Sequence, residues 1–333
     1  PPPPPFSERT NMTIRSHLAK RLHSWQRKCD LPVEFHEMNN YGLGSDLHTW
    51  SQALCNAMEM GHTLHVKLNP KPNSTRGSWI YTDLKLCSKA EVRQPLACYF
   101  GPQNSCGKEY ASMTRINYDP EDPKRHNPGC PSIIDEKHIT TSKFRAASME
   151  LLFSHVDRRV ISEAERLIPR VFGADGVPKN LITVHIRWGD KYTEMKLLTI
   201  DNYLEAAKKL ARARGLDDAQ VSVYVASDDA RALQGFRRAA PPGWKVFDDP
   251  MLGDLRAVPM HKTYFDHVFA ARMSQGYEGV ESLASLLISL EAEDFVLTTG
   301  SNWSRLINEL RLSVLDPRCG GCTKMIDLLE GES

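Results

Sequence analysis

The sequence has no long apolar run, no charge bias and none of the familiar phosphate-loop signatures. No apolar stretch reaches the ~18 residues that a membrane span requires. Lys and Arg number 42 against 41 Asp and Glu, a net charge of +1. Nothing therefore marks a nucleic-acid surface, and any cationic site must be local. There is no internal repeat. The one glycine-rich turn, Tyr41-Gly42-Leu43-Gly44, is neither a GxGxxG fingerprint nor a P-loop. Cys319-Gly320-Gly321-Cys322 has no second Cys or His pair nearby, so it reads as a terminal staple or free thiols rather than a zinc half-site.

Cysteine itself is not scarce. Six of the eight fall in the first 130 residues (Cys29, Cys55, Cys87, Cys98, Cys106 and Cys130). Such clustering points to disulfides and an oxidising compartment. Eight thiols allow about a hundred full pairings, so connectivity stays open. Sequons at Asn11, Asn73 and Asn302 suit a secretory protein, the third being expected to stay bare because it falls in a candidate site. The opening Pro1–Pro5 run is a stiff extended spacer and reads as the end of a stem in a processed chain.

At 333 residues the chain has the length of two ordinary domains. Its second half alternates strands and helices. Strands are expected at 181–186, 221–226, 244–247 and 295–299. Helices are expected at 199–214, 229–238, 280–291 and 303–312. Alternation of this kind implies α/β architecture with a parallel sheet and right-handed crossovers. The first half is less regular: a helix near 15–27, the glycine turn, a helix from Asp46 to Met60, a strand at 63–68, and helices at 141–155 and 158–170. Between Asp248 and Gly279 the pattern suggests a loop over the site. The expected organisation is a stem and helix (1–28), an N-terminal α/β domain (29–174), a Rossmann-like domain (175–315) and a tail (316–333).

The chemistry gathers at strand ends. Apolar Leu181–Ile186 runs straight into His185, Arg187, Asp190, Lys191 and Glu194. A buried strand that turns ionic at its carboxyl end is where an open α/β sheet places a ligand. Arg187 offers a planar fork suited to a diphosphate, or a partner for a structural carboxylate such as Asp190. Glu194 is either a general base or a solvated loop carboxylate. Tyr224–Asp229 repeats the pattern: Asp228 and Asp229 can accept from a nucleoside or cap the next helix. Thr298–Asn302 opens the last helix, where Ser301 and Asn302 can cap it or bind a polar ligand. Together these groups suit an enzyme handling a phosphorylated donor.

In order and spacing the three stretches resemble the donor-site motifs of the GDP-fucose-dependent α1,6-fucosyltransferases. The matching residues are His185-Ile186-Arg187-Trp188-Gly189-Asp190-Lys191 with Glu194 and Tyr203, then Ala226-Ser227-Asp228-Asp229, then Asp294-Phe295-Val296 through Ser301 to Arg305. Tyr41-Gly42-Leu43-Gly44 with Leu47-His48 is similar to that family's early glycine loop. The resemblance implies a GT-B fold, two Rossmann-like domains facing across a cleft, and inverting, metal-independent transfer of fucose from GDP-fucose without a further cofactor. It implies a glycan or glycoprotein acceptor, the N-glycan core GlcNAc foremost. It also implies residence in the Golgi lumen, with membrane attachment only through a removed N-terminal anchor.

Residue by residue, the resemblance gives Arg187 the β-phosphate and His185 the guanine. It puts Tyr203, Asp228, Asp229, Ser301, Asn302, Tyr41, Gly42 and Gly44 in the donor site. Glu194 becomes the base, with Lys191 and Asp190 in its proton relay. The chain departs from the family where Trp188 stands for a second arginine, where one residue is missing between Lys191 and Glu194, and near Leu286, where a guanine-binding Asp is absent. The alternatives are a protein O-fucosyltransferase, a transferase using another nucleotide sugar, and a silent glycan- or nucleotide-binding protein.

Overall fold

Short apolar runs joined by amphipathic helices produce parallel strands, and the computed structural model contains two parallel sheets. It describes residues 14–38, 41–66, 79–101, 114–115, 139–193, 196–248 and 267–329. The chain divides into two units. One runs to Arg159 and takes in Ala271–Val280; the other comprises Val160–Ala270 and the chain from Glu281 onward. The expected stretches around Asn11, Asn73, Cys106, Cys130 and Glu194 lie outside the described residues.

In the first unit, strand β1 (Val33–His36) pairs in parallel with β2 (Thr63–Val66) and β3 (Thr114–Arg115). Helix α1 (His17–Gln26) starts at Ser16, whose hydroxyl accepts from Ala19 N–H. Helix α2 (Leu43–Glu59) follows β1 and buries Leu47, Trp50, Leu54 and Met58 on one stripe. Its start corrects the sequence expectation of Asp46. Gly42 is the N-cap, and Gly44 lies inside the first turn, where the helix tolerates it. Helix α3 (Thr141–Phe153) completes the unit with the Cys87–Cys98 disulfide. Cys29 and Cys55 are disulfide-bonded as well.

Helix α4 (Arg158–Phe172) leads into the second unit. There β4 (Leu181–His185), β5 (Ser222–Ala226), β6 (Lys245–Phe247), β7 (Asp294–Leu297) and β8 (Lys324–Asp327) form an all-parallel sheet in the order β6-β5-β4-β7-β8. Ile182, Val184 and Ile186 point to the face covered by α5 (Ile200–Ala213) and α6 (Ala230–Ala239), where Tyr203, Leu204 and Phe236 complete the core. Each large side chain so buried contributes roughly 2–3 kcal/mol.

After α6, the end of helix α7 (His267–Met273), from Ala271, and the first turn of α8 (Tyr277–Ser289) contribute to the first unit. Part of the segment expected to be loop between Asp248 and Gly279 is therefore helical, and residues 249–266 lie outside those described. The rest of α8 covers the sheet's other face. Thr183 Oγ1 donates to Ser289 O at 2.8 Å, and Tyr224 Oη pairs with Ser285 Oγ at 2.9 Å. Helix α9 (Asn302–Leu310) follows β7.

The expected tail from 316 carries β8, which pairs with β7 from Asp294↔Lys324 to Leu297↔Asp327. With β8 in place, the winding runs outward from β4 in both directions. The topological switch point of the sheet falls between β4 and β7, the position where open α/β sheets bind ligands at strand carboxyl ends.

Candidate active site

In the second unit, the sequence-derived residues of β4 and β7 converge on that switch point. His185 Nδ1 pairs with Ser304 Oγ at 2.6 Å, and Ser304 Oγ accepts from Thr298 N–H at 3.2 Å. Thr298 Oγ1 pairs with Tyr203 Oη at 3.0 Å, and that hydroxyl also accepts the backbone N–H of Arg187. Burial pushes the Tyr203 phenol up, so it stays neutral. Tyr203 is 1% exposed, which makes it a strut joining the ends of β4 and β7. Thr298 lay in the strand end read from sequence, but Ser304 as a site residue and the bonds of both were not foreseen. The sequon at Asn302 has its Ser304 fully buried in this network.

Arg187 pairs through Nη1 with Asp228 Oδ2 and donates to Trp188 O at 3.2 Å. Its carboxylate partner is therefore Asp228, at the end of the neighbouring strand, whereas the sequence offered Asp190. Asp229 caps α6, accepting Arg231 N–H at 2.8 Å and the Arg231 guanidinium at 2.6 and 3.0 Å. Burial opposes its ionisation, but these bonds outweigh burial and hold the carboxyl below its ordinary value. Asp229 also accepts Gly189 N–H at 3.4 Å, tying the next loop to α6. The two aspartates thus divide the roles left open by sequence: Asp228 faces the arginine, and Asp229 is the cap.

Gly189 sits at φ +57°, the left-handed region that glycine enters without strain, where the chain turns from β4 into the Gly189–Thr193 turn. Lys191 in that turn is buried. Asp190 lies in the same turn, and Glu194 just beyond it falls outside the described residues. Trp188 packs against the β4/α5 core and donates its indole N–H to Leu198 O at 2.9 Å. It ties the end of β4 to the chain ten residues on, just before α5. Trp188 therefore has a structural task, which accounts for a large aromatic at a strand end.

At β7, Ser301 is the N-cap of α9 by backbone conformation, but its side chain makes no cap hydrogen bond. Asn302 Oδ1 accepts from Arg305. An α-helix start lacking a side-chain cap leaves first-turn N–H groups for a polar or anionic ligand.

The glycine loop belongs to the first unit. Gly42 likewise opens α2 without a side-chain cap, and a Cβ added to it would meet nothing within 4 Å. The fold itself does not demand glycine there. Tyr41 is half exposed, while its backbone is held on both sides: its N–H reaches Asp46 Oδ1 at 3.3 Å, and its carbonyl accepts Tyr81 Oη at 2.8 Å. Asp46 Oδ2 accepts the Trp79 indole N–H at 2.7 Å. Burial raises the Asp46 carboxyl to about 7, against the lowering effect of those two donors.

The sign of the resulting linkage is definite. A folded-state pKa above the unfolded value means that the folded protein holds the extra proton, so stability falls as pH rises from about 4 to about 7. Asp46→Asn should remove this slope. The variant should gain about 2–3 kcal/mol relative to wild type between pH 5 and pH 8, read from urea unfolding midpoints. Parallel pH curves for the two proteins would refute it.

No family profile matches the chain, and no curated protein matches it. Among solved structures it is similar to POFUT1 in complex with GDP, with 12% identity and a TM-score of 0.49 over 90% of this chain and 99% of that one. It is similar to NodZ alpha-1,6-fucosyltransferase soaked with GDP-fucose, with 15% identity and a TM-score of 0.41 over 84% and 92% of the two chains. The apo form of POFUT1 gives 11% identity and a TM-score of 0.45 over 90% and 98%. Identities this low carry no side-chain roles across.

Proposed function

We propose that this chain is a GDP-fucose-dependent glycosyltransferase of GT-B architecture, transferring fucose with inversion and without a metal to a glycan acceptor, the N-glycan core GlcNAc. The observation that carries the reading is the convergence of His185, Arg187 and Thr298–Ser301 on the switch point between β4 and β7, in the motif order of the α1,6-fucosyltransferases. Arg187 binds the β-phosphate, with Asp228 aligning its guanidinium. The start of α9 supplies backbone N–H groups to polar or anionic parts of the donor.

In the reaction, Glu194 takes the proton of the acceptor hydroxyl, and Lys191 and Asp190 relay it away. The acceptor oxygen attacks the fucose anomeric carbon while the bond from that carbon to the β-phosphate oxygen breaks. Arg187 and the N-terminus of α9 stabilise the charge that develops on the departing GDP. The disulfides fit an oxidising compartment such as the Golgi lumen. A second reading, protein O-fucosylation, is compatible with Trp188, which leaves Arg187 as the single arginine of the first motif.

A thermal-shift panel of GDP, UDP, CMP and ADP tests the donor assignment. GDP at 100 times its dissociation constant should stabilise the protein by about 2.7 kcal/mol. A shift with UDP and none with GDP would overturn the assignment.

A further inference from the structure

The edge strand β8 ends on the loop that opens α9. Asp327, its last residue, accepts Thr299 N–H at 3.1 Å through Oδ1 and takes the Thr299 hydroxyl through Oδ2. The next residues keep the strand seated, since Leu328 N–H reaches Leu297 O at 2.9 Å. The other end of β8 is anchored separately. The Cys319–Cys322 disulfide closes the turn before it, Arg214 donates to Cys322 O at 2.9 Å, and Asp316 Oδ1 accepts both Thr323 N–H at 3.1 Å and its hydroxyl at 2.6 Å.

The Thr298–Ser301 turn is thus gripped from two directions. From inside the sheet, Tyr203 holds the Thr298 hydroxyl and Ser304 holds its N–H. From the edge, Asp327 holds both donors of Thr299. The turn itself closes with Ser301 N–H on Thr298 O at 2.9 Å, which fixes where Ser301 and the first turn of α9 face. Asp327 is the one charged group in this grip. A bidentate carboxylate on a backbone N–H and a hydroxyl sets orientation more tightly than a single neutral bond.

We infer that Asp327 is a positioning residue for the donor site: β8 is an anchored arm that delivers its carboxylate to Thr299 and so sets the Thr299–Ser301 turn for the nucleotide diphosphate. This rests on the donor reading given above for its ligand, but the ordering of the turn can be measured without any ligand.

Asp327→Ala, Asp327→Asn and Thr299→Val are compared with wild type by hydrogen exchange of residues 298–302 and by calorimetric titration with GDP. In Asp327→Ala, exchange at Thr299 should rise about tenfold or more and GDP affinity should fall about tenfold, the scale of one charge-assisted hydrogen bond. Asp327→Asn keeps an acceptor for the N–H and should restore affinity to within about threefold of wild type. Thr299→Val keeps the shape, loses the hydroxyl and should fall between them.

Unchanged exchange and unchanged GDP affinity in Asp327→Ala would overturn the inference, as would a lowered melting temperature with affinity intact. If Asp327→Ala does not fold, Thr299→Val decides alone: wild-type exchange and affinity there also overturn it. If wild type binds no GDP, the donor assignment fails by itself, and the exchange arm still judges whether Asp327 orders the turn.

Discussion

Glu194→Gln is expected to lower kcat by about a thousandfold while leaving GDP affinity within about twofold of wild type. Gln keeps the size and hydrogen-bonding reach of Glu but cannot take a proton at neutral pH. A general base contributes typically 10²–10⁴-fold, so a loss of about that size isolates the proton step. Donor affinity should survive because the groups assigned to the diphosphate are Arg187 and the start of α9. The Trp188 indole bond to Leu198 O does not involve Glu194 and should persist in the variant. Stopped-time assays of GDP release, paired with calorimetric GDP titration, separate the two effects. Normal turnover by Glu194→Gln would remove Glu194 from the mechanism.

The largest stability effect is expected at Gly276. This glycine stands at φ +93°, where side-chain-bearing residues are strained, and a Cβ there would lie 1.9 Å from Thr82 O. Three residues on, a Cβ at Gly279 would lie 2.2 Å from Tyr81 O. Both contacts are with backbone in the 79–83 segment, which cannot swing aside as a side-chain tip would. Leu84 N–H also donates to Gln275 O at 3.2 Å, so the two segments are joined at close range. Tyr81 in turn holds the Tyr41 carbonyl of the glycine loop. Gly276→Ala should therefore cost about 3 kcal/mol or more, seen as a lowered urea midpoint. The glycine loop should loosen with it, raising exchange at residues 41–46. A midpoint within about 0.5 kcal/mol of wild type would show that the segments do not meet as described.

The sequence made the sheet legible where an apolar run ended abruptly in charge. β4 and β5 were found in this way, and β7 by an apolar run ending in small polar residues, because strands buried on both faces read as continuous apolar runs. It was weaker at helix starts. Gly44 looked like part of a turn, yet it lies in the first turn of α2, where the following apolar stripe outweighs its poor propensity. Helix α8 begins at Tyr277, three residues before the expected Val280, directly after Gly276.

Edge strand β8 was missed because Lys324–Asp327 is four residues long, partly exposed and preceded by two cysteines and two glycines. Missing it hid Asp327. Spacing also could not reveal that Arg187 would choose Asp228, which is 41 positions away and becomes its neighbour only through the β4–β5 pairing. Tyr203 was assigned to the ligand by resemblance, and its burial turns it into a support for the residues around it. Trp188 lay in plain view, but its packing and its bond to Leu198 are tertiary facts.

The most direct measurement is mass spectrometry of an N-glycopeptide bearing an exposed core after incubation with the protein and GDP-fucose, with a serine- and threonine-bearing folded domain as the competing acceptor. The account predicts one deoxyhexose added to the innermost GlcNAc of the glycopeptide, GDP released in equal amount, and no addition in Glu194→Gln. Fucose appearing only on a serine or threonine of the competing domain, or no transfer to either acceptor by a protein that binds GDP, would contradict it.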